Sequence, residues 1–99
     1  MSAQRLDPQT IQQRLAEISG WGYRNEKLHR DFQFNDFAQA FRFMTLAAEH
    51  AERLDHHPEW SNVYNKVNVQ LTTHSAQGVS DLDFQLALAM NQCAEQAAE

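Results

Sequence analysis

The stretch Glu52-Arg-Leu-Asp-His-His-Pro-Glu-Trp60 decides the fold, because a long helical pattern ends in it and a strand pattern follows it. Pro58 has no backbone N–H and cannot lie inside a helix, and it disfavours helical geometry at His57. The helix is therefore expected to end at about Leu54, just before two adjacent histidines. At its other end, either residue of the pair Asn35-Asp36 can cap its first turn.

The helix before this stretch carries an amphipathic stripe. Apolar side chains recur every three or four residues along one side of it: Phe37, Phe41, Met44, Ala48 and Ala51. This spacing predicts that these side chains face the core of the protein.

Two strand patterns precede the helix. Trp21 and Tyr23 alternate with small or polar residues, and a turn near Asn25-Glu26 leads into a second alternating run, Lys27 to Phe34. The apolar residues of that run share one parity, with Arg30 as the exception. Together the two runs predict a β-hairpin with one buried face.

The run from Val63 to Thr73 is the clearest strand pattern in the sequence. Its apolar residues share one parity, with Asn65 as the single polar interruption. They are Val63, Val67, Val69 and Leu71. We predict one continuous strand here, and so regular a strand at a sheet edge can pair with another subunit.

The two ends of the chain predict further helices. Asp7-Pro8 is typical of an N-cap followed by proline at the first helical position, and Ser19-Gly20 would end that helix. After Gly78, the spacing of Ser80 and Asp83 resembles a capping box. The apolar side of the helix that follows carries Leu82, Leu86, Ala89, Met90 and Cys93. The order α-β-β-α-β-α predicts an α+β fold, with an antiparallel sheet of three to four strands and three helices packed on one face.

Composition narrows the functional class. The chain has 99 residues and a formal net charge of −5, without the basic stripe that nucleic-acid binders carry. It contains no apolar run long enough for a membrane span, and Met1 to Asp7 lacks the apolar core of a signal peptide. A lone cysteine, Cys93, cannot form an internal disulfide, which is typical of a reducing compartment. We therefore expect a single cytoplasmic domain over residues 1–99.

The adjacent histidines are the first candidates for chemistry. Because Pro58 keeps His56 and His57 out of regular structure, their rings can point in different directions. An ordinary histidine pKa of about 6.5 allows proton transfer both ways near neutral pH. Glu52 lies one helical turn before His56 and would orient that ring if the helix persisted so far. Asp55 and Glu59 add acceptors nearby, and Trp60 offers a flat apolar wall.

Structural and metal-binding roles are alternatives to catalysis for these residues. Paired histidines at a helix C-terminus also favour the helix dipole and can satisfy free carbonyls. His56, His57 and His74 could in principle hold zinc, although adjacent histidines are an unusual ligand spacing. Asp83 is accounted for by capping alone. Tyr64 would lie roughly 33 Å from His74 along a straight strand, too far for one small pocket.

Three segments closely resemble the pterin-4a-carbinolamine dehydratases: Leu54-Asp-His-His-Pro-Glu-Trp60, Asn62-Val-Tyr-Asn-Lys-Val67 and Leu71-Thr-Thr-His74. The segments Arg30 to Phe37 and Phe41 to Met44 are also similar to the family's strand and helix. The positions of the family's motif are filled here by Glu52, His56, His57, Pro58, Tyr64, His74 and Asp83. The resemblance covers about Gly20 to Ala94, and Leu82 departs from it where some relatives carry a basic residue.

The resemblance implies an activity and a set of roles. It implies dehydration of 4a-hydroxytetrahydropterin to quinonoid dihydropterin, which recycles the cofactor of aromatic amino acid hydroxylases. Neither a metal nor an organic cofactor is implied. His56, His57 and His74 would be catalytic, the first and last as acid–base groups. The substrate-binding positions would be Glu52, Asp55, Pro58, Trp60 and Asp83. Of these, Glu52 and Asp83 would orient the histidine rings or hold the amino-pyrimidine edge of the pterin.

The resemblance also implies homodimers or homotetramers. Relatives in animals bind a transcription factor through a helix face, so an interaction role is an alternative that does not need the histidines. A pterin-binding protein without turnover is another alternative. Binding that survives His57→Ala would favour the interaction role, whereas pterin binding without rate enhancement would favour the other.

Overall fold

The computed structural model describes residues 3–99 and arranges them around one antiparallel sheet. In chain order the elements are α1 (Pro8–Leu15), β1 (Gly22–Arg24), β2 (Lys27–Gln33), α2 (Phe37–Leu54), β3 (Glu59–Val63), β4 (Lys66–Leu71), a 3₁₀ helix (His74–Ala76) and α3 (Asp81–Ala97). The strands lie in the order β1-β2-β4-β3. The predicted α+β class is confirmed. Met1 and Ser2, part of the segment assessed for a signal peptide, lie outside the described residues.

One face of the sheet forms the core with the helices. The side chains of β4 on this face are wholly buried: Val67, Val69 and Leu71. On the neighbouring strand Leu28 pairs with Leu71 and Phe32 with Val67, so the apolar positions of β2 and β4 lie side by side. Phe43 of α2 and Met90 of α3 are buried in the same cluster. Polar residues of the same strands face the other side, because side chains alternate along a strand. No helix within residues 3–99 is long and apolar enough to cross a membrane.

The predicted helix starts are confirmed by their capping bonds. The backbone N–H of Thr10 donates to the Asp7 carboxylate at 2.7 Å, and that of Gln39 donates to the Asp36 carboxylate at 2.8 Å. Ser80 begins α3 with a complete capping box, in which the Asp83 side chain accepts from the Ser80 backbone N–H. The hairpin of β1 and β2 is also confirmed, with its turn at the predicted pair Asn25-Glu26.

The predicted core stripe of α2 is right for Ala51, and Met44 packs partly buried against the core, but its other members are exposed: Phe37, Phe41 and Ala48. The buried residues of this helix are Ala40, Phe43, Ala47 and Ala51. Phe37 and Phe41 are 48% and 54% exposed, and their rings pack against each other with centroids 5.7 Å apart. Two apolar stripes with the same spacing share this helix, so the period alone does not select between them. The stripe rich in alanine lets the α2 backbone approach its neighbours closely, and it is the one that is buried.

The predicted single strand from Val63 to Thr73 is two strands. Tyr64 has a φ of 50° and, with Asn65, forms a two-residue turn between β3 and β4. The Asn62 side-chain amide supports the turn, since it donates to the backbone oxygens of Tyr64 at 3.1 Å and Lys66 at 2.9 Å. β4 is therefore an internal strand, and β3 lies at the edge of the sheet beside it. Val63, expected in the core, is 73% exposed.

Candidate active site

The end of α2 turns His56 into the protein. Asp55 adopts a left-handed conformation (φ 50°, ψ 44°) as the C-cap of α2. The backbone N–H of His56 then donates to the carbonyl of Ala51 at 2.9 Å, a bond that closes the last turn of the helix. After this reversal the His56 side chain is buried, with 9% of the residue exposed. Asp55 itself is exposed, and its backbone makes the reversal that ends α2.

His56 pairs with a buried carboxylate. Its Nε2 lies 2.5 Å from Oδ1 of Asp83, which is wholly buried at the start of α3. The other carboxylate oxygen of Asp83 accepts from the Thr73 hydroxyl at 2.8 Å and from the Ser80 backbone N–H at 2.9 Å. Thr73 and Ser80 are also buried and lie 2.6 Å apart through their hydroxyl oxygens. Asp83 thus caps a helix with one oxygen and holds an imidazole with the other.

His57 points to a different carboxylate. Its Nε2 lies 2.5 Å from Oε2 of Glu52, and both side chains are largely exposed. The expectation that Glu52 orients His56 is wrong, because the reversal at Asp55 turns His56 inward and brings His57 to Glu52. Exposed side-chain contacts of this kind contribute little to stability.

His74 lies at the start of the 3₁₀ helix and is 82% exposed at its side chain. Its Nε2 is 3.3 Å from Oε2 of Glu59, whose other oxygen accepts from Lys27 Nζ at 2.7 Å. The hydrogen bond from Lys27 holds the pKa of the Glu59 carboxyl below its usual value, and the positive charge of Lys27 acts in the same direction.

A cavity of about 320 Å³ adjoins His74. It lies between the β1–β2 turn and the 3₁₀ turn, and its lining includes Glu26, Lys27, Thr72 and Gln77. The Thr72 hydroxyl donates to the backbone oxygen of Glu26 at 3.1 Å and ties the two walls together. The depression is open to solvent, and His74 is the one histidine of the motif among its lining residues.

Comparison with known proteins identifies the family. The family model described as "Pterin 4 alpha carbinolamine dehydratase" matches residues 4–93. The chain belongs to this family. Two relatives, each named "Putative pterin-4-alpha-carbinolamine dehydratase", are similar over most of their length. The protein of Sinorhizobium medicae is 48% identical over 97 residues, covering 96% of this chain and 92% of the relative. That of Solibacter usitatus is 53% identical over 83 residues, covering 84% and 87%.

A solved structure has the same fold. The "transcriptional coactivator/pterin dehydratase" from Brucella melitensis superposes with a TM-score of 0.89 at 47% identity, covering 91% of this chain and 98% of that one. The predicted resemblance to the pterin-4a-carbinolamine dehydratases is therefore confirmed, and so is the prediction of a dehydratase enzyme.

In this member of the dehydratase family, each histidine of the motif lies beside its own carboxylate. The pairs are His56 with Asp83, His57 with Glu52 and His74 with Glu59. A carboxylate at one ring nitrogen fixes the orientation of the ring and favours a proton there. The second ring nitrogen, Nδ1, is the one that the carboxylate does not contact. Within residues 3–99, no group of three or more His, Cys, Asp or Glu side chains is arranged to hold a metal ion.

Trp60, Pro58 and Tyr64 lie outside the three histidine–carboxylate pairs. Trp60 lies in β3 opposite Val69 and packs, partly buried, against the core. Pro58 lies between His57 and the first residue of β3. Tyr64 is 62% exposed in the turn at the end of the β3–β4 hairpin remote from His74. The separation of Tyr64 from His74 was expected, although the path of the chain between them was not.

Lys27 was missed as a site residue, and Glu59 was noted only as a nearby acceptor. Leu28, which follows Lys27, pairs with Leu71, and Glu59 pairs with Gln70 on the opposite side of β4. Lys27 and Glu59 therefore meet across β4, on the face of the sheet away from the core. The register of three strands would have revealed the pair, but Glu59 was placed before the strand pattern rather than in a strand.

Proposed function

We propose that this chain dehydrates 4a-hydroxytetrahydropterin to quinonoid dihydropterin and water by histidine general acid–base catalysis. In the cell this reaction would support tetrahydropterin recycling for aromatic amino acid hydroxylases. The observation that carries the proposal is the His56–Asp83 pair, a buried imidazole fixed by a buried carboxylate at motif positions of the family. Structural roles alone would not require the other two histidines to lie beside carboxylates as well.

The proposed reaction needs two proton transfers. The bond from C4a to the hydroxyl oxygen breaks, and that oxygen leaves as water after it accepts a proton from an acid. A ring nitrogen of the pterin loses its proton to a base, and the electrons of that N–H bond form the new C=N bond. Histidine serves as acid or base at neutral pH. We assign these transfers to His56 and His74, with His57 binding the substrate or sharing in the transfer.

Substrate binding is assigned to groups around the histidines. Glu52 is exposed beside His57 and can accept from the amino-pyrimidine edge of the pterin, while Trp60 provides an apolar wall. Asp55 and Pro58 shape the backbone that carries the two adjacent histidines. Asp83 was expected to orient a ring or bind pterin, and we now favour the first role because both its oxygens are engaged.

The test is the rate of dehydration, followed by absorbance, for the native protein and its His56→Ala and His74→Ala variants. General acid–base catalysis predicts a fall of roughly 10²-fold or more for each variant. His50→Ala is the matched control, since this histidine of α2 lies outside the motif and contacts Arg53 rather than a carboxylate. A native protein that gives no acceleration above buffer would exclude the dehydratase reaction.

A homodimer or homotetramer is part of the proposal. Two surfaces support it, namely the edge strand β3 and the exposed Phe37–Phe41 pair on α2. Light scattering of the native protein and of Phe41→Gln tests the second surface.

We further propose one dehydratase domain over residues 1–99 and a cytoplasmic location, which accords with the free thiol of Cys93.

Protein binding is a second candidate function. The Brucella melitensis structure is described as a transcriptional coactivator as well as a pterin dehydratase. The same exposed phenylalanines could receive a transcription-factor partner, and an aromatic amino acid hydroxylase is a further candidate. Binding that persists in His57→Ala and fails in Phe41→Gln would support an interaction role independent of catalysis. Loss in both variants would tie binding to the histidine site.

A further inference from the structure

We infer that Glu59, anchored by Lys27, is a positioning residue that holds the His74 ring for proton transfer. This inference rests on the proposed function, in which His74 is an acid–base group. It extends that function to Glu59 and Lys27, and their part in the reaction is argued from their contacts in this chain alone.

His74 needs to be held in place if it is to transfer protons. Its side chain is 82% exposed and projects from a three-residue 3₁₀ turn. A side chain in such a setting can exchange between rotamers, whereas proton transfer needs the ring within hydrogen-bond reach of the substrate. The described contact that restrains the ring is the one between its Nε2 and Glu59 Oε2.

Glu59 is itself fixed at two points. Its backbone belongs to β3 and pairs with Gln70 of β4. Its Oε1 accepts from Lys27 Nζ at 2.7 Å, so the second oxygen must point away from Lys27. Lys27 in turn belongs to β2, on the other side of β4. The carboxylate is thus held from two strands of the sheet.

The oxygen that faces His74 lacks a well-aligned donor. Among buried side-chain nitrogen and oxygen atoms in residues 3–99, Oε2 of Glu59 alone has no hydrogen-bond partner. Its 3.3 Å contact with His74 is longer than a charge-assisted hydrogen bond, which is about 2.7–2.9 Å. A buried acceptor without a donor is costly, so a proton on His74 Nε2 would stabilise this oxygen. Closer and better aligned approach of the exposed ring would form this bond.

The consequence is a defined tautomer. With a proton on Nε2 directed at Glu59, the lone pair of the neutral His74 ring is on Nδ1, which can then exchange a proton with the substrate. His56 has the same arrangement, with Nε2 beside Asp83. Both proposed acid–base histidines would therefore use the same ring nitrogen for chemistry.

Glu59→Gln tests the inference with a side chain of the same shape. Lys27 Nζ only donates, so the new amide turns its oxygen to Lys27 and its NH₂ group to His74. His74 Nε2 must then accept, which moves the proton to Nδ1. A buried asparagine in place of the aspartate of a catalytic triad acts in this way. We expect kcat to fall about tenfold to a hundredfold with KM nearly unchanged, the pattern of an interaction made in the transition state.

Three further measurements separate positioning from other roles. In a His74→Ala background, Glu59→Gln should cause no further loss of kcat, since the two residues act as one unit. The ¹⁵N chemical shifts of the His74 ring should report Nε2–H in the native protein and Nδ1–H in Glu59→Gln. Lys27→Met should weaken the preference for Nε2–H without reversing it. Glu95→Gln, on the exposed side of α3, is the control for loss of one negative charge.

The outcomes distinguish failure of the inference from failure of the proposed function. A native kcat in Glu59→Gln, or an unchanged His74 tautomer, overturns the inference. A raised KM with native kcat also overturns it, because Glu59 would then bind substrate directly. If His74→Ala retains native activity, the assignment of His74 as an acid–base group in the proposed function is wrong. The ring shifts, which do not depend on turnover, still show whether Glu59 holds His74.

Discussion

Nε2 of His56 lies 2.5 Å from a carboxylate oxygen of Asp83, although 27 residues separate the two in the sequence. The contact joins the end of α2 to the start of α3. It is made inside the protein, with Asp83 wholly buried and His56 nearly so. Because the same aspartate completes the capping box of α3, one side chain links helix formation to the chemistry proposed for His56.

Asp83→Asn should separate these two roles. The amide can still accept from the Ser80 N–H, so α3 keeps part of its cap, but it no longer offers a charge to His56. We expect dehydration to slow by roughly tenfold or more, because an orienting carboxylate is lost. The free energy of unfolding should fall by about 1–3 kcal/mol, since a charged hydrogen bond is lost. Kinetics and urea unfolding check the two effects.

Thr73→Val is the matched variant for Asp83→Asn. It removes the hydroxyl bonded to Asp83 and Ser80 but leaves the carboxylate facing His56. The loss of stability should be similar and the loss of rate much smaller. Equal losses of rate in both variants would mean that Asp83 acts through the fold rather than through the ring of His56.

The two faces of α2 should respond differently to mutation. Phe43 is wholly buried, so Phe43→Ala should lower the free energy of unfolding by about 3–5 kcal/mol. Phe41→Gln should change it by less than about 0.5 kcal/mol in the separated protomer, because the ring is largely exposed. Denaturant unfolding at low protein concentration measures both. A larger loss of unfolding free energy in Phe41→Gln would mean that Phe41 contributes to the core, as its stripe was predicted to do.

How much of this structure the sequence predicts depends on how far apart along the chain the interacting residues lie. Caps such as Asp36 and Ser80 act within three residues, and the proline after His57 ends the helix locally, so these features were predicted. The turn at Tyr64-Asn65 was missed because it contains no glycine and because the exposed Val63 has the same parity as the buried valines of β4. The choice of core face in α2 was also missed, since it depends on which neighbour the helix meets.

The candidate site shows the same limit. The resemblance supplied its three histidines, but the partner of each ring depends on tertiary contacts. Glu52 was assigned to His56 from helical spacing alone, which could not include the backbone reversal at Asp55. Lys27 could be found only from the register of β2 and β4, and that register required the hairpin of β3 and β4 to be known.

Low pH should remove the contribution that the Lys27–Glu59 contact makes to the stability of the fold. The pKa of this carboxyl is below its usual value in the folded protein, chiefly through the hydrogen bond from Lys27. A depressed carboxyl pKa stabilises the fold above the unfolded value, about 4.3, and this contribution is lost as pH falls through the folded value. Lys27→Met should therefore be less stable than the native protein near neutral pH. Urea midpoints from pH 7 to pH 3 should converge at the acid end, and a constant difference would assign the effect to packing of the lysine stem.

Cys93 should resist alkylation in the folded protein. Its side chain is buried in α3, and burial, with a smaller effect of the Glu49 charge, raises the pKa of the thiol. Since the thiolate is the reactive form, both burial and the raised pKa slow the reaction. Iodoacetamide at pH 8 should label the native chain far more slowly than the chain in urea, as measured by mass spectrometry. Because labelling would then require opening of the core, destabilised variants such as Phe43→Ala should react faster, and Phe41→Gln should react at the native rate. Equal rates in folded and unfolded protein would mean that α3 exposes its cysteine in the native state.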